Sequence, residues 1–276
     1  MRKISIIGLG WLGMPLGLSL LAQGYQVVGS KTSKEGVEAV RIRGIECYQL
    51  NLTPLLEGDA EDIISLFQTD TLVITLPIRR NGTDNYLLAV QHAVERARAT
   101  GVQHFIFTSS ISVYGNSLGF YCEDSPTVPV SSFGQCLVKL ENWLYKLPYT
   151  SVDILRLAGL VGPGRHPGLF MSGKQGLLGG SEVVNLVHQI DVISAISLLL
   201  KLPHGSYRYN LCAPYHPLKR YYYPVMARML GIKPPVYLTD LNEDHRKIID
   251  GSRICKEQGF KYQYPKLINI KSIYNN

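Results

Sequence analysis

Three glycines, Gly8, Gly10 and Gly13, follow directly on the apolar stretch Lys3-Ile4-Ser5-Ile6-Ile7. Spaced GxGxxG, each has its own task in a turn that holds a diphosphate. Gly8 permits a sharp exit from a strand, Gly10 lets backbone approach the phosphates, and Gly13 lets the next helix lie close to the sheet. Amides at that helix start, across Gly10, Trp11, Leu12 and Gly13, then face the anion. A dinucleotide with a free ribose 2′-hydroxyl needs an Asp or Glu about twenty residues further on. That place holds Ser30-Lys31-Thr32-Ser33 instead. Hydroxyls beside an ammonium suit a 2′-phosphate, so NADP is favoured over NAD as cofactor; the competing reading at Thr32 or Ser33 is a helix cap.

Such a turn works only on a rigid frame, and the first half of the chain supplies the pattern for one. Strands are expected at 3–7, 25–29, 45–50, 71–76 (stopped by Pro77) and 103–108. Helices are expected at 14–23, 35–43, 59–67 and 85–100, the third entered through acidic residues that complement its dipole. Strand and helix alternating at this spacing predict an α/β fold, a Rossmann-like doubly wound parallel sheet with helices on both faces.

Composition sets outer bounds. The 276 residues suffice for a large α/β domain, or a nucleotide domain with a smaller partner, and for a sizeable core. No apolar run is long enough to span a bilayer, and Met1-Arg2-Lys3 is not expected to open a secretory signal, because four glycines and Pro15 interrupt the apolar stretch behind it. The net charge of +7 is dispersed in short groups such as Arg41-Ile42-Arg43, Arg79-Arg80 and Lys219-Arg220, a distribution that fits a small anionic ligand better than a nucleic acid. Five widely separated cysteines form no CxxC and no Cys/His ligand spacing, so a reduced cytoplasmic protein without a metal site is expected.

The fifth strand runs into Thr108-Ser109-Ser110-Ile111-Ser112-Val113-Tyr114-Gly115, which resembles the serine-bearing segment of extended short-chain dehydrogenases/reductases, the group of nucleotide-sugar epimerases, dehydratases and reductases. Three later stretches extend the resemblance: Leu155-Arg156-Leu157-Ala158-Gly159-Leu160-Val161-Gly162-Pro163-Gly164, then Asn185-Leu186-Val187-His188-Gln189-Ile190-Asp191-Val192, then KIIDGSRICKEQGF from Lys247 to Phe260. Among subgroups the chain is most similar to the bacterial YeeZ-like proteins. The resemblance implies that Ser110 is the catalytic serine that holds the substrate oxygen. It implies further cofactor contacts at Leu76, Pro77, Ser109 and Leu157, and substrate contacts at Ser112, Phe133 and His188. It also implies a homodimer through the helices at 85–100 and 132–147.

Two departures stand out. Extended members usually space the first glycines GxxGxxG, and GLGWLG resembles instead the turn of 6-phosphogluconate and UDP-glucose dehydrogenases, whose second domains are largely helical. The second departure concerns chemistry. Laying the family's YxxxK on SSFGQCLVKLE puts Phe133 at the tyrosine and Leu137 at the lysine. Neither can transfer or hold a proton. Lys139 lies roughly 200° around the helix from Leu137 and does not substitute. Tyr114, Tyr121 and His188 are the replacement candidates for the general acid/base.

Beyond Arg156 a glycine-rich passage, 159–180, carries Arg165 and Lys174 as candidate substrate-phosphate contacts. Helices are expected at 191–202 and 217–230, strands at 207–212 and 236–238, and the closing stretch 261–276 shows weak periodicity. The domain reading is a cofactor domain at 1–157 and a smaller α+β substrate part at 158–276, interleaved with the sheet, 183–212 returning to it. The leading expectation is an NAD(P)-dependent oxidoreductase or epimerase acting on a small nucleotide-sugar-like substrate. Its rival is a regulatory module that binds NADP without catalysis. A third reading, a hydroxyacid or UDP-glucose-type dehydrogenase, requires the region after Arg156 to be nearly all helix.

Overall fold

Apolar β-branched residues on both faces of Lys3–Ile7 leave no side for water, so this segment is stable only as an inner strand of a covered sheet. In the computed structural model, which describes residues 2–77, 82–239 and 246–268, it is β1 (Lys3–Ile7), with Ile4, Ile6 and Ile7 fully buried. Arg79 and Arg80, and residues 269–276 of the closing stretch, lie outside the described residues.

The chain continues through α1 (Gly13–Ala22), β2 (Gln26–Lys31), α2 (Lys34–Arg41), β3 (Glu46–Gln49), the short antiparallel pair β4 (Asn51–Leu52) and β5 (Leu56–Glu57), α3 (Ala60–Phe67), β6 (Thr71–Ile74), α4 (Thr83–Ala99) and β7 (His104–Ser110). After a 3₁₀ turn over Ile111–Tyr114 come β8 (Gly119–Tyr121), α5 (Ser132–Tyr145), β9 (Ser151–Leu157), β10 (Gly159–Val161), β11 (Leu186–His188), α6 (Gln189–Leu199), β12 (Arg208–Leu211), α7 (Lys219–Met229), β13 (Lys247–Ile249) and α8 (Arg253–Gln258). Local chemistry fixes several ends. Asp59 accepts from the amides of Glu61 and Asp62 at 2.9 and 3.1 Å to start α3, and Ser33 and Ser131 cap α2 and α5 in the same way.

Seven strands form the main sheet in the order β12-β9-β7-β6-β1-β2-β3. β1 pairs in parallel with β2 on one side and β6 on the other, so chain progression reverses between β1 and β6. That reversal is the switch point at which open parallel sheets bind ligands beyond their carboxyl ends.

Contacts divide the chain into two units of interleaved segments. Unit 1 comprises Met1–Val113, Pro129–Leu155 and Ile196–Arg208; unit 2 comprises Tyr114–Val128, Arg156–Ala195 and Tyr209–Asn276. Unit 2 holds its own apolar cluster, built on Val161, Val184, Leu186, Tyr222, Tyr223 and Met226, and two parallel pairs, β10 with β11 and β8 with β13. With β10, β11, β12 and β13 all beyond Arg156, that region is not nearly all helix, which removes the UDP-glucose-dehydrogenase reading. One local expectation is also corrected: residues 236–238 are no strand, only a single bridge from Tyr237 to Leu177. The glycine-rich passage 159–180 contains β10 and a turn over Pro167–Leu169 that His166 caps.

Candidate functional site: a glycine-lined cleft and a serine turn

At the carboxyl ends of β1, β2 and β6, unit 1 opens a cleft of about 770 Å³. Gly8, Gly10, Ser30, Lys31, Thr32, Leu76 and Pro77 line it, all of them residues read from the sequence as cofactor contacts. Trp11, Leu12, Gly13, Ser33, Ser109 and Leu157 do not. The three glycines divide the labour by geometry. Gly8 sits at φ +99°, a region that strains any side chain. A Cβ on Gly13 would lie 2.3 Å from the Gly8 carbonyl oxygen and 2.8 Å from Thr75 Oγ1. Gly10 differs: it is exposed, and a Cβ there would meet nothing closer than the Gly8 oxygen at 3.9 Å. The space in front of Gly10 belongs to the cleft, and no side chain caps the amino end of α1 behind it. This cradle fits a dinucleotide diphosphate.

The cleft wall at the end of β2 is short of acid. Lys31 is the one charged side chain among the described residues lining it. β2 runs two residues further than its expected end, so Ser30 is 4 % exposed and its carbonyl accepts from Leu9 N at 3.2 Å. Ser33 lies outside the cleft and caps α2, accepting from Gly36 N at 3.1 Å. Leu9, Asn51, Leu52, Thr53, Asn85 and Tyr86 also line the cleft and were not anticipated. The turn-forming run Asn51-Leu52-Thr53-Pro54 directly after a strand was the signal that could have marked the second of these groups.

β6 and β7 run side by side in parallel, with Ile74 opposite Phe107; three residues past that pair, β6 has ended and the chain reaches Pro77 in the cleft, while β7 ends at Ser110. Alternation along β7 separates the two serines. Ser109 is buried and donates to Glu141 Oε1 at 2.6 Å. Ser110 and Ser112 remain partly exposed and bonded to each other, Oγ to Oγ at 3.0 Å, while Ser112 N donates to Ser110 Oγ at 3.2 Å. α5 docks on this turn: a Cβ on Gly134 would lie 2.6 Å from the Ser112 carbonyl oxygen. Phe133 is the preceding residue, half-buried, while Leu137 is 2 % exposed and Lys139 faces solvent.

Unit 2 holds the remaining candidates. Tyr114 is 1 % exposed; its hydroxyl donates to Asn210 Oδ1 at 2.7 Å and accepts from Arg156 at 2.8 Å. Burial raises its pKa, against the lowering effect of Arg156 and Asn210, and the two hydrogen bonds anchor the ring in the core of unit 2. Arg165 and Lys174 are both exposed on the passage after β10. Tyr121 is partly exposed and donates to the Ser117 carbonyl at 3.0 Å. Among the described residues no His/Cys/Asp/Glu group could hold a metal, and all five cysteines are free.

His188, at the end of β11, is fully buried and stacked on Tyr264 at 4.0 Å; its Nδ1 accepts from Ile190 N at 3.2 Å. Burial lowers its pKa to about 4, so at neutral pH the ring is uncharged and a weak base. Its neighbour Asp191 accepts from the amides of Gln263 and Tyr264, and burial raises that carboxyl to about 6. The two act oppositely on stability. The unfolded His188 takes up a proton near its usual value while the folded one waits until about 4, so acidification through that window costs about 3 kcal/mol. The folded Asp191 takes up its proton near 6, before the unfolded one near 3.8, so the same acidification returns about 3 kcal/mol. Deleting only the first contribution, with His188→Phe, should make the melting temperature rise relative to wild type as pH falls from 7 to 4.5. Parallel melting curves across that range would sink the assignment.

The sequence pattern of the NAD dependent epimerase/dehydratase family matches residues 4–212. Protein YeeZ of Escherichia coli K12 is 55% identical over 267 residues, covering 96% of this chain and 97% of that one. A short-chain dehydrogenase/reductase superfamily protein from Agrobacterium tumefaciens, solved with bound NAD, superposes with a TM-score of 0.78 at 18% identity over 98% of this chain and 95% of its own. The UDP-glucose 4-epimerase of Thermotoga maritima, solved with UDP-glucose, gives 0.77 at 18% identity over 98% and 97%. With three quarters of its length inside that sequence pattern and a close relative along nearly all of it, the chain belongs to the NAD dependent epimerase/dehydratase family.

Proposed function

We propose that the protein is a cytoplasmic NADP-dependent oxidoreductase of this family that acts on a small anionic substrate of the nucleotide-sugar kind. Ser110 holds the substrate oxygen, and Phe133 and Leu137 stand where the family's tyrosine and lysine are expected. The observation that carries the reading is the wall of the cleft at β2: one ammonium, Lys31, with no carboxylate beside it among the described lining residues. A 2′-phosphate is stabilised there and a bare ribose loses its usual acidic partner. When bound, the nicotinamide supplies or accepts a hydride. Charge supports the substrate class: unit 2 carries 14 Lys and Arg against 9 Asp and Glu, five of the chain's seven net positive charges.

Calorimetric titration with NADP and NAD tests the cofactor. NADP should bind more tightly, and Lys31→Ala should weaken NADP by about tenfold while leaving NAD unchanged. Equal losses for both, or tighter NAD, would overturn the preference. For the chemistry, Ser110→Ala should reduce turnover of a sugar substrate by about 100-fold; unchanged turnover removes Ser110 from the mechanism.

A second reading, a cofactor-binding regulatory module, is favoured by Phe133 and Leu137 alone. The packing of Gly134 on the Ser112 carbonyl supports the placing of Phe133 at the tyrosine position. Phe133→Tyr with Leu137→Lys therefore separates the readings: activity that appears only in the double variant identifies the natural protein as the module. A homodimer through α4 and α5 belongs to the same proposal and is tested by light scattering.

A further inference from the structure

We propose that Ser110 and Ser112 form a two-hydroxyl proton wire to solvent that supplies the proton when the protein reduces an aldehyde or ketone. This deepens the reading above and rests on its cofactor and on Ser110 as the group that meets the substrate oxygen. Three observations carry it. The Ser112 amide donates to Ser110 Oγ at 3.2 Å and so fixes that oxygen from one side. The two hydroxyls lie 3.0 Å apart, in hydrogen-bond contact, and both are partly open to water. Helix α5 clamps the turn through Gly134, whose Cβ position lies 2.6 Å from the Ser112 carbonyl, yet the residue it brings up next to Gly134 is Phe133, which has no proton to give.

The step balances as follows. The carbonyl carbon gains a hydride, with NADPH as the reductant; a C–H bond forms and the C=O π pair moves to oxygen. That oxygen takes the Ser110 hydroxyl proton, Ser110 Oγ takes the proton of Ser112, and Ser112 Oγ takes one from water, leaving hydroxide in solvent. An alkoxide is basic enough to draw protons along neutral hydroxyls, and the same wire run backwards takes the proton when an alcohol is oxidised.

The test uses the full-length protein with NADPH and a panel of aldehydes and keto-sugars between pH 6 and 9. Turnover should be flat with pH, because neither serine titrates in that range, and should slow in heavy water. Ser112→Ala should lower kcat by about 100-fold with KM nearly unchanged, and Ser112→Thr should restore it. Melting temperature, followed in parallel, reports whether each variant folds, and calorimetry reports NADPH binding. A sigmoidal profile with a midpoint between 6 and 9 would place the proton donor on another group and overturn the wire. So would full activity in folded Ser112→Ala. NADPH binding without reduction of any carbonyl overturns the wire and leaves the cofactor reading standing, whereas no binding overturns both.

Discussion

Gly13→Ala is expected to destabilise the protein by about 3 kcal/mol or more, enough to remove a large part of the stability typical of such a domain. The added methyl would sit 2.3 Å from the Gly8 carbonyl oxygen, a backbone atom that cannot swing away as a side chain tip could. Relief requires α1 to shift off the sheet, and with it Leu16 and Leu20, both fully buried. Gly10→Ala makes the instructive contrast. Its methyl meets nothing closer than 3.9 Å, so the urea midpoint should stay near wild type while calorimetry shows cofactor affinity falling by at least about tenfold. If Gly10→Ala unfolded the protein and Gly13→Ala only weakened binding, the assignment of the two positions would be reversed.

The other large effect belongs to Arg156. It is 2 % exposed, donates to the Tyr114 hydroxyl at 2.8 Å and the Glu123 carbonyl at 3.2 Å, and lies over the Tyr114 ring at 5.0 Å. Around it Glu123, also buried, accepts from Asn210 N at 2.8 Å and faces Arg253 Nε at 3.4 Å. Removing the guanidinium deprives the buried Tyr114 hydroxyl and the Glu123 carbonyl of their donor and leaves a cavity where a large side chain stood, so Arg156→Ala should cost about 3–5 kcal/mol. Tyr114→Phe deletes one hydroxyl from the same network and should cost about 1–3 kcal/mol, with no change in the pH dependence of any activity. A Tyr114→Phe variant of normal stability whose rate profile moved along the pH axis would return Tyr114 to the list of acid/base groups.

Much of unit 1 was legible because its signals are local. The β-branched run before Gly8, the Asp59 cap and the amphipathic stretch of α4 each speak within a dozen residues, and the elements formed within a few residues of their expected bounds. What could not be read is either very short or very distant. β4 and β5 have two residues each, too few for any periodicity, yet Asn51 and Leu52 line the cleft. β13 pairs with β8 across more than a hundred residues, and nothing near Gly119 announces Lys247. For Tyr114 and His188 the sequence allowed both packing and proton transfer; their burial is a tertiary fact that no local signal carries, and it favours the neutral forms of a phenol and an imidazole.

The glycine turn has one further consequence. Leu9 N bonds the Ser30 carbonyl, Gly10 N bonds that of Gly8 at 2.7 Å, and the Leu9 side chain fills the place where Gly29 has no Cβ, at 2.5 Å. A receptor already frozen into shape spends little conformational freedom on capture. Most of the interaction energy should therefore surface as thermal protection: by mass action, ligand at a hundred times its dissociation constant adds about 2.7 kcal/mol to the folded state, and a simple melting screen of dinucleotides would rank them.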